Sequence, residues 1–153
     1  MKKKSSKVNE PAVASYEKAP ITLHDILDVD VESLSEPLIR VETFRNGLRK
    51  NSFESLKEIS GLDNHTLAAA LGVSTKTLQR KEIFDATQSE KMYKLAEIYV
   101  LGTNYFGKEG FRRWMELPLF SIGNIKPIDL IDVSEGLELL KAEIMRLQHG
   151  IAV

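Results

Sequence analysis

The sequence predicts an all-α protein, and three observations predict it. Apolar residues recur at three- and four-residue intervals in segment after segment, the spacing that lines one face of a helix. Residue types that cap and stop helices bracket those segments. No segment alternates apolar and polar residues long enough to make a strand. The predicted layout is a tail over residues 1–20, a helical region over 21–86 with a helix-turn-helix at 63–81, and a second small helical domain over 87–153.

Each element follows from local signals. Residues 1–20 hold Lys2, Lys3, Lys4, Lys7 and Lys18, two prolines and few bulky apolar residues, too little to offset the entropy of ordering them. Residues 21–36 are acidic with spaced apolar positions, which suits short helical pieces, and Pro37 interrupts the pattern. A helix is expected over 38–49 with Ile39, Phe44 and Leu48 facing inward. Ser52 is placed to cap the next helix, which carries Phe53, Leu56 and Ile59 and stops at Gly61. Asp63 caps a helix with Leu67, Ala68 and Leu71 on one face; Gly72 turns the chain, and Ser74 caps another helix that runs to Lys81. Ser89 is expected to open a longer helix with Met92, Leu95, Ala96, Tyr99 and Val100 inward, broken up by Gly102 and Gly107. A short helix over 108–117 carries Phe111, Trp114 and Met115. Residues 118–126 read as a loop with scattered apolar anchors, and Pro127 suits the first turn of a short helix to Ile131. Ser134 and Glu135 begin the last helix, where Leu137, Leu140, Ile144 and Leu147 form a narrow stripe before Gly150.

Composition narrows the function classes. With 153 residues, 42% hydrophobic and 28% charged, the chain has material for a core. Its 21 basic and 22 acidic side chains give a net charge of -1, which excludes a globally basic nucleic-acid binder but not a local basic face. The chain has no cysteine, so disulfides and thiolate metal sites are excluded. No stretch has the apolar core of a signal peptide or the length of a membrane span, so a cytoplasmic protein is expected.

The helix-turn-helix is where chemistry concentrates. Alanines at 68, 69 and 70 let two helices approach closely, Gly72 permits the sharp turn, and Val73 with Leu78 fills the angle. The second helix then offers Ser74, Thr75, Lys76, Thr77, Gln79, Arg80 and Lys81 to phosphates or base edges. The competing reading is a helical hairpin with a solvated basic face. Catalytic readings find no support: His24, His65 and His149 lie in unrelated segments, and no phosphate loop or nucleophile elbow occurs. No cofactor or metal is expected, and Asp129 with Asp132 reads as solvated surface. Trp114 and Phe111 read first as core. The 137/140/144/147 stripe reads as burial, within the domain or across a dimer seam. Ile151, Ala152 and Val153, taken alone, would fray after the helix stop.

The order of residues from 88 to 153 resembles the toxin-binding C-terminal domain of Xre/MbcA/ParS antitoxins. The resemblance is carried by Phe111, Arg112, Trp114, Leu117 and Pro118, then Gly123, then Pro127, Asp129, Leu130 and Ile131, then Gly136, Leu140, Ile144, Leu147, Gly150, Ile151 and Val153. Upstream, Leu71-Gly72-Val73-Ser74 with Leu78 and Arg80 sits where that family keeps its Xre-like helix-turn-helix. The likeness covers residues 44–153. It departs at Ile122-Gly123-Asn124, where many relatives show a double glycine, and the acidic stretch over 25–36 has no counterpart. It implies a dimeric antitoxin whose partner is a RES-domain, NAD-consuming toxin and whose operator DNA is bound by the helix-turn-helix. It also implies toxin contacts at Arg112, Trp114, Leu147, Gly150, Ile151, Ala152 and Val153, with the last residues entering or covering the toxin's active site. Two rivals stay open: a transcription regulator without a toxin, and an interaction module whose helix-turn-helix only packs.

Overall fold

The computed structural model of the protein describes residues 19–150. The expected tail lies outside these residues except for Ala19 and Pro20, and Ile151, Ala152 and Val153 lie outside them too. Among the described residues there are eight α-helices and three 3-10 turns, and no sheet: the only strand-like pairings are isolated bridges, Arg49 with Ile83 and Leu119 with Ile125. The protein is all-α, as the sequence predicts.

The acidic stretch turns out to be a packed element. Helix α1 (Leu23–Leu27) starts at Thr22, which exchanges hydrogen bonds with Asp25 in a capping box. Ile26 and Leu27 are fully buried against α3 and α6, while Asp25, Asp28, Asp30 and Glu32 stay exposed. Pro37 does not interrupt a helix but begins one, α2 (Pro37–Asn46), because at the first helical position its missing N–H has no partner to lose. The expected inward set fails in part. Ile39 is 40% exposed, Phe44 is half-buried against the Tyr93 ring at 5.2 Å, and Leu48 is buried but lies beyond the helix end.

Helix α3 (Lys50–Ser60) begins two residues before Ser52, which is buried inside it rather than capping it. The start is set instead by pairing with the strand-like chain before α6: Phe84 N–H donates to the Leu48 carbonyl at 2.8 Å and Lys50 N–H to that of Glu82 at 3.0 Å. Helix α4 (Asn64–Leu71) is capped by Asp63, which accepts from the Thr66 N–H at 2.7 Å, and α5 (Thr75–Arg80) by Ser74.

The central element is α6 (Ala86–Phe106), 21 residues and thus about 30 Å long. It opens at an Asp85–Gln88 capping box, three residues before the expected Ser89. Ser89 is fully buried, accepting from the Leu48 N–H at 2.8 Å and donating to the Phe84 carbonyl at 3.3 Å. Nor does Gly102 break the helix. The Phe111 ring lies so close that a Cβ at residue 102 would come within 2.1 Å of it, so the glycine is a packing notch. Gly107 does end the helix, and α7 (Lys108–Glu116) follows. After 3-10 turns at Phe120–Ile122 and Pro127–Leu130 comes α8 (Ser134–Gln148). Lys91 donates to the Asp132 carbonyl, Lys141 pairs with Glu97 at 2.7 Å, and Tyr105 O–H donates to the Leu147 carbonyl at 3.3 Å. These contacts advance together along both helices, so α8 runs parallel to α6. The stripe Leu137, Leu140, Ile144 is buried in that seam, with Leu147 half-buried at its end.

Candidate functional site

Two surfaces stand at opposite ends of α6. The first is the α4–α5 corner. Ala68, Ala70, Leu67, Leu71 and Leu78 are buried where the helices meet, and Gly72 takes φ 69° so that Val73 N–H can return to the Ala68 carbonyl at 3.0 Å. Burial of Leu78 turns Lys76, Thr77, Gln79 and Arg80 outward, with Thr75 half-buried. The Ser74 hydroxyl accepts from Thr77 N–H at 3.1 Å and donates to the Thr77 hydroxyl at 2.8 Å, so these two groups already serve the cap. Lys81 lies past the helix end, its ammonium 5.9 Å from the Phe84 ring centroid. Among the described residues Lys76 and Arg80 have no ion-pair partner. One further cation joins them: Lys50 reaches the Gln79 carbonyl at 3.4 Å and Glu82 at 3.5 Å. No local pattern marks Lys50, which stands 29 positions before Gln79.

The second surface lies at the other end, on α7, α8 and the loop between them. Trp114 is only 9% exposed, its ring stacked on Phe106 at 5.4 Å and Phe111 at 5.8 Å, so it supports the surface from beneath. Arg112 is exposed and lies over Gly61 at the α3–α4 turn, where a Cβ would meet its guanidinium at 2.4 Å. Leu147 and Gly150 close the end of α8, with Gly150 N–H donating to the Leu147 carbonyl at 3.2 Å. Among the described residues no hydrogen bond or ring contact joins Arg112 to this α8 end.

Sequence reasoning missed the exposed apolar side chains here. Phe120 is 89% exposed, and Leu117, Ile125, Tyr105 and Met145 are also exposed. Their loop is tied to α8 by the Ser121 hydroxyl, which donates to Glu143 at 2.7 Å. Arg146 hydrogen bonds, and then that of Ser121, hold the Glu143 carboxyl below its ordinary value. Exposed apolar groups clustered on a small domain suit a partner surface. The signal was a loop richer in Leu, Phe and Ile than a solvated connection needs. Among the described residues no cluster of acids and histidines could hold a metal, and no helix is long and apolar enough to cross a membrane.

Comparison with known proteins divides along the same axis. The family model of the antitoxin Xre-like helix-turn-helix domain matches residues 39–97. That of the antitoxin Xre/MbcA/ParS C-terminal toxin-binding domain matches residues 101–150. Together the two cover more than half of the chain. The chain is also similar to the Prs ADP-ribosylating antitoxin of Sphingobium sp. (strain YBL2), with 21% identity over 130 residues, which cover 76% of this chain and 82% of that protein.

Proposed function

Because the chain belongs to the Xre/MbcA/ParS antitoxin family and carries both its helix-turn-helix and its toxin-binding domain, we propose that it neutralises a RES-type, NAD-consuming toxin and represses its own operon. It is an antitoxin, not an enzyme, and a toxin-binding domain implies a cognate toxin. The observation that carries the finer reading is the placement of a basic α5 and an apolar α7–α8 surface at opposite ends of one helix. The relative's name ties that protein to ADP-ribosylation, a reaction that draws on NAD, which supports an NAD-consuming toxin here.

In this reading the chain is a cytoplasmic homodimer with no membrane role, and its halves divide near residue 86. Lys76, Gln79 and Arg80 touch operator DNA, with Ser74, Thr75, Thr77 and Lys81 setting the helix against the backbone. Arg112, Leu147 and the exposed apolar groups hold the toxin above Trp114. Gly150, Ile151, Ala152 and Val153 block its active site: the glycine lets the backbone leave the helix direction, and Ile151 and Val153 bury apolar area contributing about 1–3 kcal/mol each, before the cost of ordering. The test is co-expression of a chain ending at His149 with the toxin. The complex is expected to survive pull-down while growth protection is lost. Full protection by the shortened chain would remove the plug from the reading, and failure of the intact chain to bind any RES-domain protein would remove the toxin assignment.

A further inference from the structure

A small cavity sits where the two halves meet, between the α3–α4 turn and the C-terminal part of α6 with α7. Its volume is about 80 Å³, room for several waters or one compact ion. Two cations, Arg112 and Lys108, line it, and among the described residues neither makes an ion pair. The Tyr99 side chain also lines it. Tyr99 is 5% exposed, and its hydroxyl has no hydrogen-bond partner among the described residues. With no protein partner and no buried side-chain polar atom left unsatisfied among the described residues, the hydroxyl must reach solvent, and the cavity it lines is where it can donate to a ligand. Thr103 lines the same wall. Glu116 lines the cavity as well and opposes an anion, leaving the lining one positive charge in excess.

We propose that this cavity binds a small oxyanion of the phosphate class, held by Arg112 and Lys108 and hydrogen-bonded by Tyr99. The ion replaces solvent as the acceptor for the phenol and balances the excess charge at the junction of the two halves. Burial pushes the Tyr99 phenol well above its ordinary value, so at neutral pH it remains a donor. The small volume admits the inorganic ion, not a nucleotide. This inference stands apart from the toxin's identity.

The experiment is titration of inorganic phosphate into the full-length chain, followed by amide resonances of Gly61 and Thr103, with sodium chloride at matched ionic strength as the control. Saturating shifts with phosphate and none with chloride are expected. Tyr99→Phe keeps the ring in the core and removes only the donor. It should weaken phosphate about ten-fold, as expected for one hydrogen bond to a charged group. Lys108→Gln should weaken it too, while melting of both variants without phosphate reports whether they fold. Shifts that never saturate, shifts reproduced by chloride, or an unchanged affinity in folded Tyr99→Phe would each overturn the proposal.

Discussion

Gly136, in the first turn of α8, lies so close to the preceding 3-10 turn that a Cβ would come within 1.9 Å of the Leu130 carbonyl oxygen. The carbonyl is main chain and a Cβ is fixed rigidly to its Cα, so neither can rotate away. Gly136→Ala is therefore expected to destabilise the fold by about 1–3 kcal/mol, read as a lower urea midpoint at unchanged slope. A parent-like midpoint would show that the turn shifts freely. Glu143 makes a pH-dependent contribution. Its folded pKa is lowered from 4.5, so the stabilisation is fully present above that value and lost as pH falls through the folded one. Glu143→Gln should consequently lose less stability between neutral and acid pH than the parent, and equal losses would discount the Arg146 and Ser121 contacts. Residues of this kind mark the limit of what sequence shows. Gly102 looks like a helix breaker because glycine usually punctuates, and only the Phe111 ring nine residues on reveals its role. Ser52 and Ser89 look like caps, yet both are buried. The hydroxyl that suits a helix start also suits a partner for a distant backbone N–H.

Helices α4 and α5 were legible because Asp63 and Ser74 cap them where the local signals place a start, and α8 because its apolar stripe is regular although no side chain caps it. Helix α2 was not, since it buries no side chain completely and leaves Leu38 79% exposed, so its apolar positions do not report an inward face. The candidate surfaces divide the same way. The basic face of α5 was readable from Lys76 and Arg80, whereas Lys50 and the Phe120 loop depend on tertiary placement. For α5, Lys76→Ala and Arg80→Ala should weaken operator binding with melting unchanged. A lost phosphate contact lowers the slope of log affinity against log salt by about one for every sequence, and a lost base contact costs about 1–3 kcal/mol at one position. Parent-like affinity in both variants on the chain's own promoter would leave α5 as a packing helix. Any melting change would point to Leu78 and the corner instead.

At the scale of the whole molecule, about 30 Å of α6 separates the α5 end from the Leu147–Gly150 end. Under the proposed function, toxin and operator therefore have no surface to contest on one chain. Toxin added to an antitoxin–operator complex should give a slower-migrating species that keeps its DNA, and release of free operator would contradict the arrangement. The same helix has a consequence for the lifetime of the protein in a cell. The two family matches end at 97 and begin at 101, inside α6, so one continuous helix forms a wall of both cores. Loosening either half strips apolar surface from that shared wall and weakens the other, which favours a single cooperative opening over a half-open form. Under the proposed function, a protease that captures the open form then removes repressor and inhibitor together. In that reading the dose of transcriptional control and the dose of protection fall in step, from one degradation clock.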